Sequence, residues 1–426
     1  MFSSRERETA RSSAEEEKMI PLRHACFVCL VALALGAQAQ AADGELTIGF
    51  VSPVTGNFAE LGTAMRNGGQ FAVDAVNAAG GLKVGGKTYS LNYVVGDTEG
   101  SAERAISAAR RLIEIDGVHA IIGYALATDF LASMPLLQQS KVPTIDTSGR
   151  ADSIPERIAA NKMDYLFQLS PTNRDFVGTH GELMQHYAHP QRAVMLALNT
   201  DFAREYTSKA EAQWPQMIPG LAVKSLFVEG TKMDLQPELL QMRRFDPQFL
   251  FVFVTGAQTY QFVDQFAASG LGKKMLVLGD SIYGSEQFRS KVDGSVDFHM
   301  ANAITERRPF SELTLPFFDG YKARWGFYPP FYAVQTYDGA LMLLEAMRRA
   351  SLSGDLAADR TAIRDGLGSI DEQHPVIGAR GSLWFSSLDT GRIVPIRKII
   401  TQYQPDNKTV IVWPLDQAGE FIDPRK

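Results

Sequence analysis

The chain has 426 residues, 45% of them hydrophobic and 21% charged, with 42 Lys and Arg against 48 Asp and Glu for a formal net charge of −6. That length exceeds what one hydrophobic core serves, so two domains of ordinary globular composition are expected. A mildly acidic chain without a long basic stretch excludes nucleic acid and anionic membrane surfaces as its natural partners.

In chain order, residues 1–18 are charged and carry no apolar period. Met19 then opens an export-signal pattern, and translation starting there would begin on it directly. Arg23 and His24 precede the apolar run Ala25–Leu35, and Ala37, Ala39 and Ala41 follow with the small-x-small spacing that a signal peptidase cuts. The run is too short for a bilayer, which takes roughly twenty residues. A buried core helix is the alternative, but it does not explain the cleavage pattern. Residues 1–42 are therefore expected to be a leader. Both cysteines, Cys26 and Cys29, lie inside the run, so the exported chain has no disulfide, thiolate metal site or cysteine nucleophile. Cys29 is not at the end of the run, where a lipid attachment would need it.

From Leu46 onward, short apolar runs alternate with helical periods. Leu46–Val51 reads as a buried strand, and Thr63–Asn77 as a helix stopped by Gly80-Gly81. Tyr89–Val95 alternates as a strand does. Ser101–Asp116 places Ala102, Ala105, Ile106, Ala109, Leu112 and Ile113 on one helical face. Ala120–Ile122 and Pro143–Ile145 are further strands, with the helix Phe130–Gln139 between them. A second series follows near Tyr165. Its strands are Leu166–Gln168, Ala193–Leu198, Leu221–Val228, Phe249–Val254 and Met275–Leu278. Its helices are Phe176–Tyr187, Arg204–Trp214, Pro237–Phe245 and Ala257–Ala268. Repeated strand–helix alternation with near-continuous apolar strands specifies an α/β fold with parallel sheets covered on both faces. The last part holds the helices Ser311–Trp325 and Tyr332–Ala350, joined by Tyr328-Pro329-Pro330, and the strands Leu383–Phe385, Ile393–Tyr403 and Val410–Trp413.

No H-E-x-x-H, G-x-S-x-G, P-loop or G-x-G-x-x-G pattern occurs, so no enzyme class and no cofactor is implied. His186 and His189 are three apart but lack a third ligand nearby, and Pro190 interrupts their helix.

Ile48-Gly49-Phe50-Val51-Ser52-Pro53-Val54-Thr55-Gly56 is followed by Leu61-Gly62, Asn67-Gly68, Asn77-Ala78-Ala79-Gly80-Gly81, Asp97, Ile121-Ile122-Gly123 and Val142-Pro143-Thr144-Ile145. Near the end come Tyr337-Asp338-Gly339-Ala340 and Gly378-Ala379-Arg380-Gly381-Ser382-Leu383-Trp384-Phe385. In that order and spacing the chain resembles the periplasmic solute-binding proteins of the branched-chain amino acid (Leu/Ile/Val-binding-protein-like, type I) ABC transporter family, over nearly the whole region past the leader. The resemblance implies two Rossmann-like lobes with a central ligand cleft and three crossovers, near Gln168, Ala303 and Gly381. One lobe would hold 43–168 plus 304–380, the other 169–303 plus 381–426. It implies a periplasmic, non-enzymatic receptor that captures an amino acid or small carboxylate and hands it to the membrane permease of an ABC importer. A ligand-sensing module that signals to a partner protein is the alternative, and an adjacent sensor-kinase gene would favour it.

The resemblance also implies site residues. The loop Gly123–Thr128, with Tyr124, corresponds to the one where a serine and backbone N–H groups hold a ligand carboxylate. Ala127 stands at the serine position, which leaves the hydroxyl of Thr128 as a substitute or as a helix N-cap. In Asp146–Arg150, Thr147 and Ser148 correspond to head-group contacts, and Arg150 either forks onto a carboxylate or points to solvent. Phe202 corresponds to an aromatic packed on the ligand, or is core. Thr255 and Gly256 offer a hydroxyl and an N–H. Asp280 stands where an acid faces the ligand ammonium, or is a turn residue. A lone carboxylate in a closed cleft is costly to desolvate, so an Asp280 facing the cleft argues for a cationic group on the ligand. Phe58 and Tyr283 are candidate aromatic walls.

Overall fold

The computed structural model describes residues 42–230, 232–292, 299–303, 307–395, 398–405 and 408–426. The expected leader, with its start at Met19 and its cleavage near Ala41, lies outside them. The first lobe opens with β1 (Gly44–Ser52), α1 (Ala59–Ala78), β2 (Leu82–Val84), β3 (Lys87–Asp97), α2 (Ala102–Glu114), β4 (Ala120–Gly123), α3 (Ala127–Gln139), β5 (Thr144–Asp146), α4 (Ser153–Ala160) and β6 (Leu166–Gln168). Its strand order is β2-β3-β1-β4-β5-β6, parallel throughout except for the β2–β3 hairpin. β1 is buried without interruption from Leu46 to Ser52, as a parallel strand with both faces covered must be. α2 shows the complementary pattern: Ala105, Ala108, Ala109, Leu112 and Ile113 form its buried stripe.

The chain then builds the second lobe with α5 (Asn173–Leu183), β7 (Arg192–Leu198), α6 (Asp201–Met217), β8 (Ala222–Val228), α7 (Gln236–Phe245), β9 (Phe249–Phe253), α8 (Gln258–Ser269), β10 (Leu276–Gly279), α9 (Glu286–Arg289) and β11 (Met300–Ala303). It returns to the first lobe for α10 (Thr314–Trp325), α11 (Phe331–Arg349), α12 (Leu356–Gly368) and the hairpin of β12 (Val376–Gly378) and β13 (Gly381–Leu383). β14 (Ile399–Gln404) and β15 (Lys408–Trp413) complete the second sheet in the order β15-β14-β11-β10-β9-β7-β8, the first two antiparallel. α11 seats directly on α1. A Cβ at Gly68 would stand 2.1 Å from the Ala333 carbonyl oxygen, so only glycine allows the two helix backbones to touch.

The fold corrects several sequence expectations. β11, α4 and α12 were not foreseen, and the hairpin partner in the 376–383 region displaces the strand expected at Leu383–Phe385. The stretch Ile393–Tyr403, expected as one strand, is not one. Ile393 bridges to Gln168 at the edge of the first sheet, and Ile399–Gln404 pairs with β11 in the second. Val394 is buried beside the first sheet and Ile399 and Ile400 within the second, so the two ends of the stretch serve different lobes. The third passage therefore lies between Val394 and Ile399, downstream of Gly381. The intervening residues stay with the first lobe through the Phe167–Phe385 ring contact at 4.8 Å and the Lys162–Asp389 ion pair at 2.8 Å.

Candidate functional site

In each parallel sheet the loops that leave the carboxyl ends of the strands are where a ligand meets backbone N–H groups and helix N-termini. The registers of β1, β4 and β5 bring Val51, Gly123 and Asp146 side by side at that edge of the first sheet. β7, β9 and β10 end together in the second. The two edges face one another across a cavity of about 600 Å³. By the volume of liquid water that is room for roughly twenty molecules, within the range of small-molecule sites.

From the first lobe, Asp97 fixes the loop after β1. Its Oδ1 accepts from the Val54 N–H at 2.9 Å and its Oδ2 from the Thr55 hydroxyl at 2.5 Å. Burial opposes its charge, but these bonds outweigh burial and hold the carboxyl below its usual range. The loop presents Phe58 to the cavity. After β4, Gly123 takes φ +137°, and a Cβ there would lie 2.3 Å from the Val51 carbonyl oxygen. The tight turn throws Tyr124 inward against Phe130, with ring centroids 5.0 Å apart, so Tyr124 is core and does not line the cavity. Ala127 and Thr128 do line it, in the first turn of α3. The helix starts three residues earlier than expected, with Leu126 at its N-cap, so Thr128 is not the cap. After β5, Asp146 Oδ1 accepts from the N–H groups of Ser148 (3.2 Å) and Gly149 (2.8 Å), which shapes the turn that sends Ser148 and Arg150 into the cavity. Thr147 turns away: it donates to the Gly123 carbonyl at 3.1 Å and bonds Thr336 at 3.0 Å.

From the second lobe come Phe202, Thr255, Gly256 and Asp280. Tyr283, expected as a wall, instead folds beneath its own strand. A Cβ at Gly279 would sit 2.3 Å from its ring, and the ring packs on Phe288 at 5.0 Å. Sequence reasoning missed Asn57, Thr200, Met233, Tyr260, Ser281 and Tyr332. Thr200 carried a usable signal, since it precedes a helix, and it caps α6 by accepting the Ala203 N–H at 3.2 Å. Tyr332 carried none: it reaches the cavity from α11 only because the second passage returns the chain beneath the cleft.

The two lobes are tied across the cavity. Asn57 Nδ2 donates to Gln258 Oε1 at 3.1 Å, and the Ala257 N–H to Asn57 Oδ1 at 3.0 Å. The Tyr260 hydroxyl donates to Glu60 Oε2 at 2.8 Å, where Lys291 Nζ also sits at 2.9 Å. Deeper in, Arg150 forks onto Asp280, Nη1 to Oδ1 at 2.7 Å and Nη2 to Oδ2 at 2.6 Å, with side chains 11% and 4% exposed. The guanidinium carbon lies 5.4 Å from each of the Phe176, Phe202 and Phe253 rings. This corrects the expectation for both residues. Arg150 neither points to solvent nor waits for a ligand carboxylate alone, and the cation opposite Asp280 belongs to the protein. Burial raises the cost of the Asp280 charge, but Arg150 outweighs it and holds the carboxyl below its usual range. Asn302 Nδ2 also donates to Asp280 Oδ1 at 3.4 Å, and its Oδ1 lies 2.8 Å from His180 Nε2. That orientation makes Nε2–H the donor and leaves Nδ1 to accept from the Tyr206 hydroxyl. The imidazole is neutral, its pKa lowered to about 4 by burial.

Among the described residues, no group of three or more His, Cys, Asp or Glu side chains is arranged to hold a metal ion, and no helix is long and apolar enough to cross a membrane.

Comparison with known proteins agrees with this architecture. A family model described as periplasmic binding protein matches residues 45–390. The Leu/Ile/Val-binding protein homolog 7 of Brucella abortus (strain 2308) is 24% identical over 360 residues, covering 81% of this chain and 86% of that protein. Among solved structures, an ABC transporter solute-binding protein of R. palustris in complex with benzoate superposes with a TM-score of 0.74 at 19% identity, over 87% of this chain and 96% of that one. The branched-chain amino acid transporter substrate-binding protein LivJ of Streptococcus pneumoniae, in complex with isoleucine, gives 0.72 at 21% identity, over 87% and 100%.

Proposed function

The chain belongs to the periplasmic binding protein family, and from that premise we propose that it is the extracytoplasmic substrate-binding protein of an ABC importer. In this reading it is exported by its leader, captures a small organic acid or amino acid between its lobes, performs no chemistry on it, and delivers it to a membrane permease. The observation that carries the reading is the cavity of about 600 Å³ whose walls come from both lobes at the carboxyl ends of parallel strands. A ligand held there touches both lobes at once, so its binding energy favours the arrangement in which Asn57 meets Gln258 and Glu60 meets Tyr260. Capture is then coupled to a shape that a permease can distinguish from the unliganded one. The solved relatives described above were crystallised with isoleucine and with benzoate, both small carboxylates, and this supports the ligand class.

Within this reading Phe58 and Phe202 are apolar walls. Thr128, Ser148 and Thr255 supply hydroxyls, and Ala127 and Gly256 bring backbone close to the solute. The test is a thermal-shift screen of amino acids, aliphatic and aromatic acids, dicarboxylates and amides. A ligand at about one hundred times its Kd stabilises the native state by about 2.7 kcal/mol, which is a shift of a few degrees for a chain of this size. At least one small acid is expected to produce it; a flat response across all classes would count against the proposal.

A further inference from the structure

We propose that the cleft selects an acid that carries an apolar, ring-bearing body and no ammonium group, and that it discriminates against α-amino acids. The inference rests on the binding function proposed above and narrows its ligand.

A zwitterionic amino acid needs an anionic partner for its ammonium. Among the described residues three charged side chains line the cavity, Glu60, Arg150 and Asp280, and each already has its counter-charge. Asp280 is committed most fully. Its Oδ1 accepts from Arg150, Asn302 (3.4 Å) and Ser281 (3.4 Å), and its Oδ2 accepts from Arg150 at 2.6 Å. A carboxylate offers about four lone-pair sites, so this one is close to saturated. An incoming ammonium would have to displace the guanidinium and leave it unpaired among three phenylalanine rings, and an uncompensated buried charge is strongly unfavourable.

Glu60 does not provide the missing site. Lys291 stands 2.9 Å from its Oε2, and its Oε1 is buried with no hydrogen-bond partner among the described residues. That oxygen is enclosed by protein, so it is not presented to an incoming ammonium. The rest of the wall fits an acid with a flat apolar body. Phe58, Phe202, Phe253, Tyr260 and Tyr332 surround the space, while Ser148 and the unforked N–H groups of Arg150 can meet a carboxylate.

The test is isothermal titration calorimetry on the protein with matched pairs that differ only in the α-ammonium: 3-phenylpropionate against phenylalanine, and 4-methylpentanoate against leucine. At least one unaminated member should bind roughly tenfold or more tighter than its amino twin. An amino acid binding as tightly as its twin, or more so, would overturn this inference and leave the binding function standing. Binding by no member of either pair would overturn the inference, while the binding function is judged separately by the wider thermal-shift screen. Arg150→Gln supplies an independent arm, because it frees Asp280 for a ligand cation. In a variant shown to be folded by its cooperative melt, the preference should move at least about tenfold toward the amino acid. An unchanged preference would place the selectivity elsewhere and sink the proposal.

Discussion

Two buried arginine–aspartate pairs in this molecule behave differently. Arg380 and Asp338 lie inside the first lobe, 4% and 0% exposed, and meet through a single Nε–H to Oδ2 bond of 2.6 Å. Arg150 and Asp280 come from opposite lobes and meet through two parallel bonds. Burial lifts the Asp338 carboxyl above its usual range in spite of Arg380, whereas Asp280 is held below its range in spite of equal burial. The difference is one of geometry. Arg380 offers one edge, and its Nη1 and Nη2 find no partner among the described residues. Arg150 offers its full fork and is further supported by aromatic faces. A single contact does not offset desolvation; a forked one does. The first pair is a fixture of one lobe, and the second is a contact that exists only while the lobes are together.

The most forceful way to break this comparison is to remove one acid from each pair. Asp338→Ala strands Arg380 in the interior and should cost about 3–5 kcal/mol in denaturant unfolding. Asp280→Ala should cost less than half of that, because separation of the lobes lets water reach Arg150. Equal losses would show that both pairs are simply structural.

Asp146 sharpens the comparison, since it is buried and has no cationic partner among the described residues. Burial raises its pKa to about 7, against the two N–H groups it accepts from Gly149 and Ser148. A raised acid holds its proton in the folded state where the unfolded chain has lost it, so this group's contribution to stability falls as pH rises from about 4 to 7 and is level above that. His180 works in the opposite sense. With a folded pKa of about 4 it costs stability as pH falls from about 6.5 to 4. Asp146→Asn keeps the acceptor oxygen and removes the charge. Relative to wild type it should gain about 2.5 kcal/mol between pH 5 and pH 8; a gap that does not change with pH would contradict the assignment.

The smallest effect concerns the rim of the cleft. Tyr260→Phe deletes the hydroxyl that reaches Glu60 across the cavity at 2.8 Å. Ligand affinity should weaken by about 1 kcal/mol, roughly fivefold, with the melting temperature of the unliganded protein nearly unchanged.

Much of the fold was legible in the sequence because parallel strands buried on both faces announce themselves. Phe249–Val254 and Leu46–Val51 read as buried strands, and strands Phe249–Phe253 and Gly44–Ser52 stand there. What a strand-like stretch does not reveal is how many sheets it serves, which is why Ile393–Tyr403 read as one strand. The candidate site was legible as loops more than as side chains. The turns after β1, β4, β5, β7, β9 and β10 border the cavity, and Phe58, Thr128, Ser148, Phe202 and Thr255 line it. Tyr124, Thr147 and Tyr283 sit in those same turns but face inward. The direction of a side chain at a tight turn depends on single φ values, such as +64° at Tyr124, that no local pattern encodes. The pairing of Arg150 with Asp280 spans 130 positions and both lobes, so neither residue alone could disclose it.

The central claim is that one solute is gripped by both lobes at once, and backbone hydrogen exchange with and without a saturating acid from the calorimetric panel tests it most directly. Slowed exchange should appear together in the first-lobe loop 123–128 and in the second-lobe loops 198–202 and 253–256. Protection confined to one lobe, or falling away from these loops, would contradict the account.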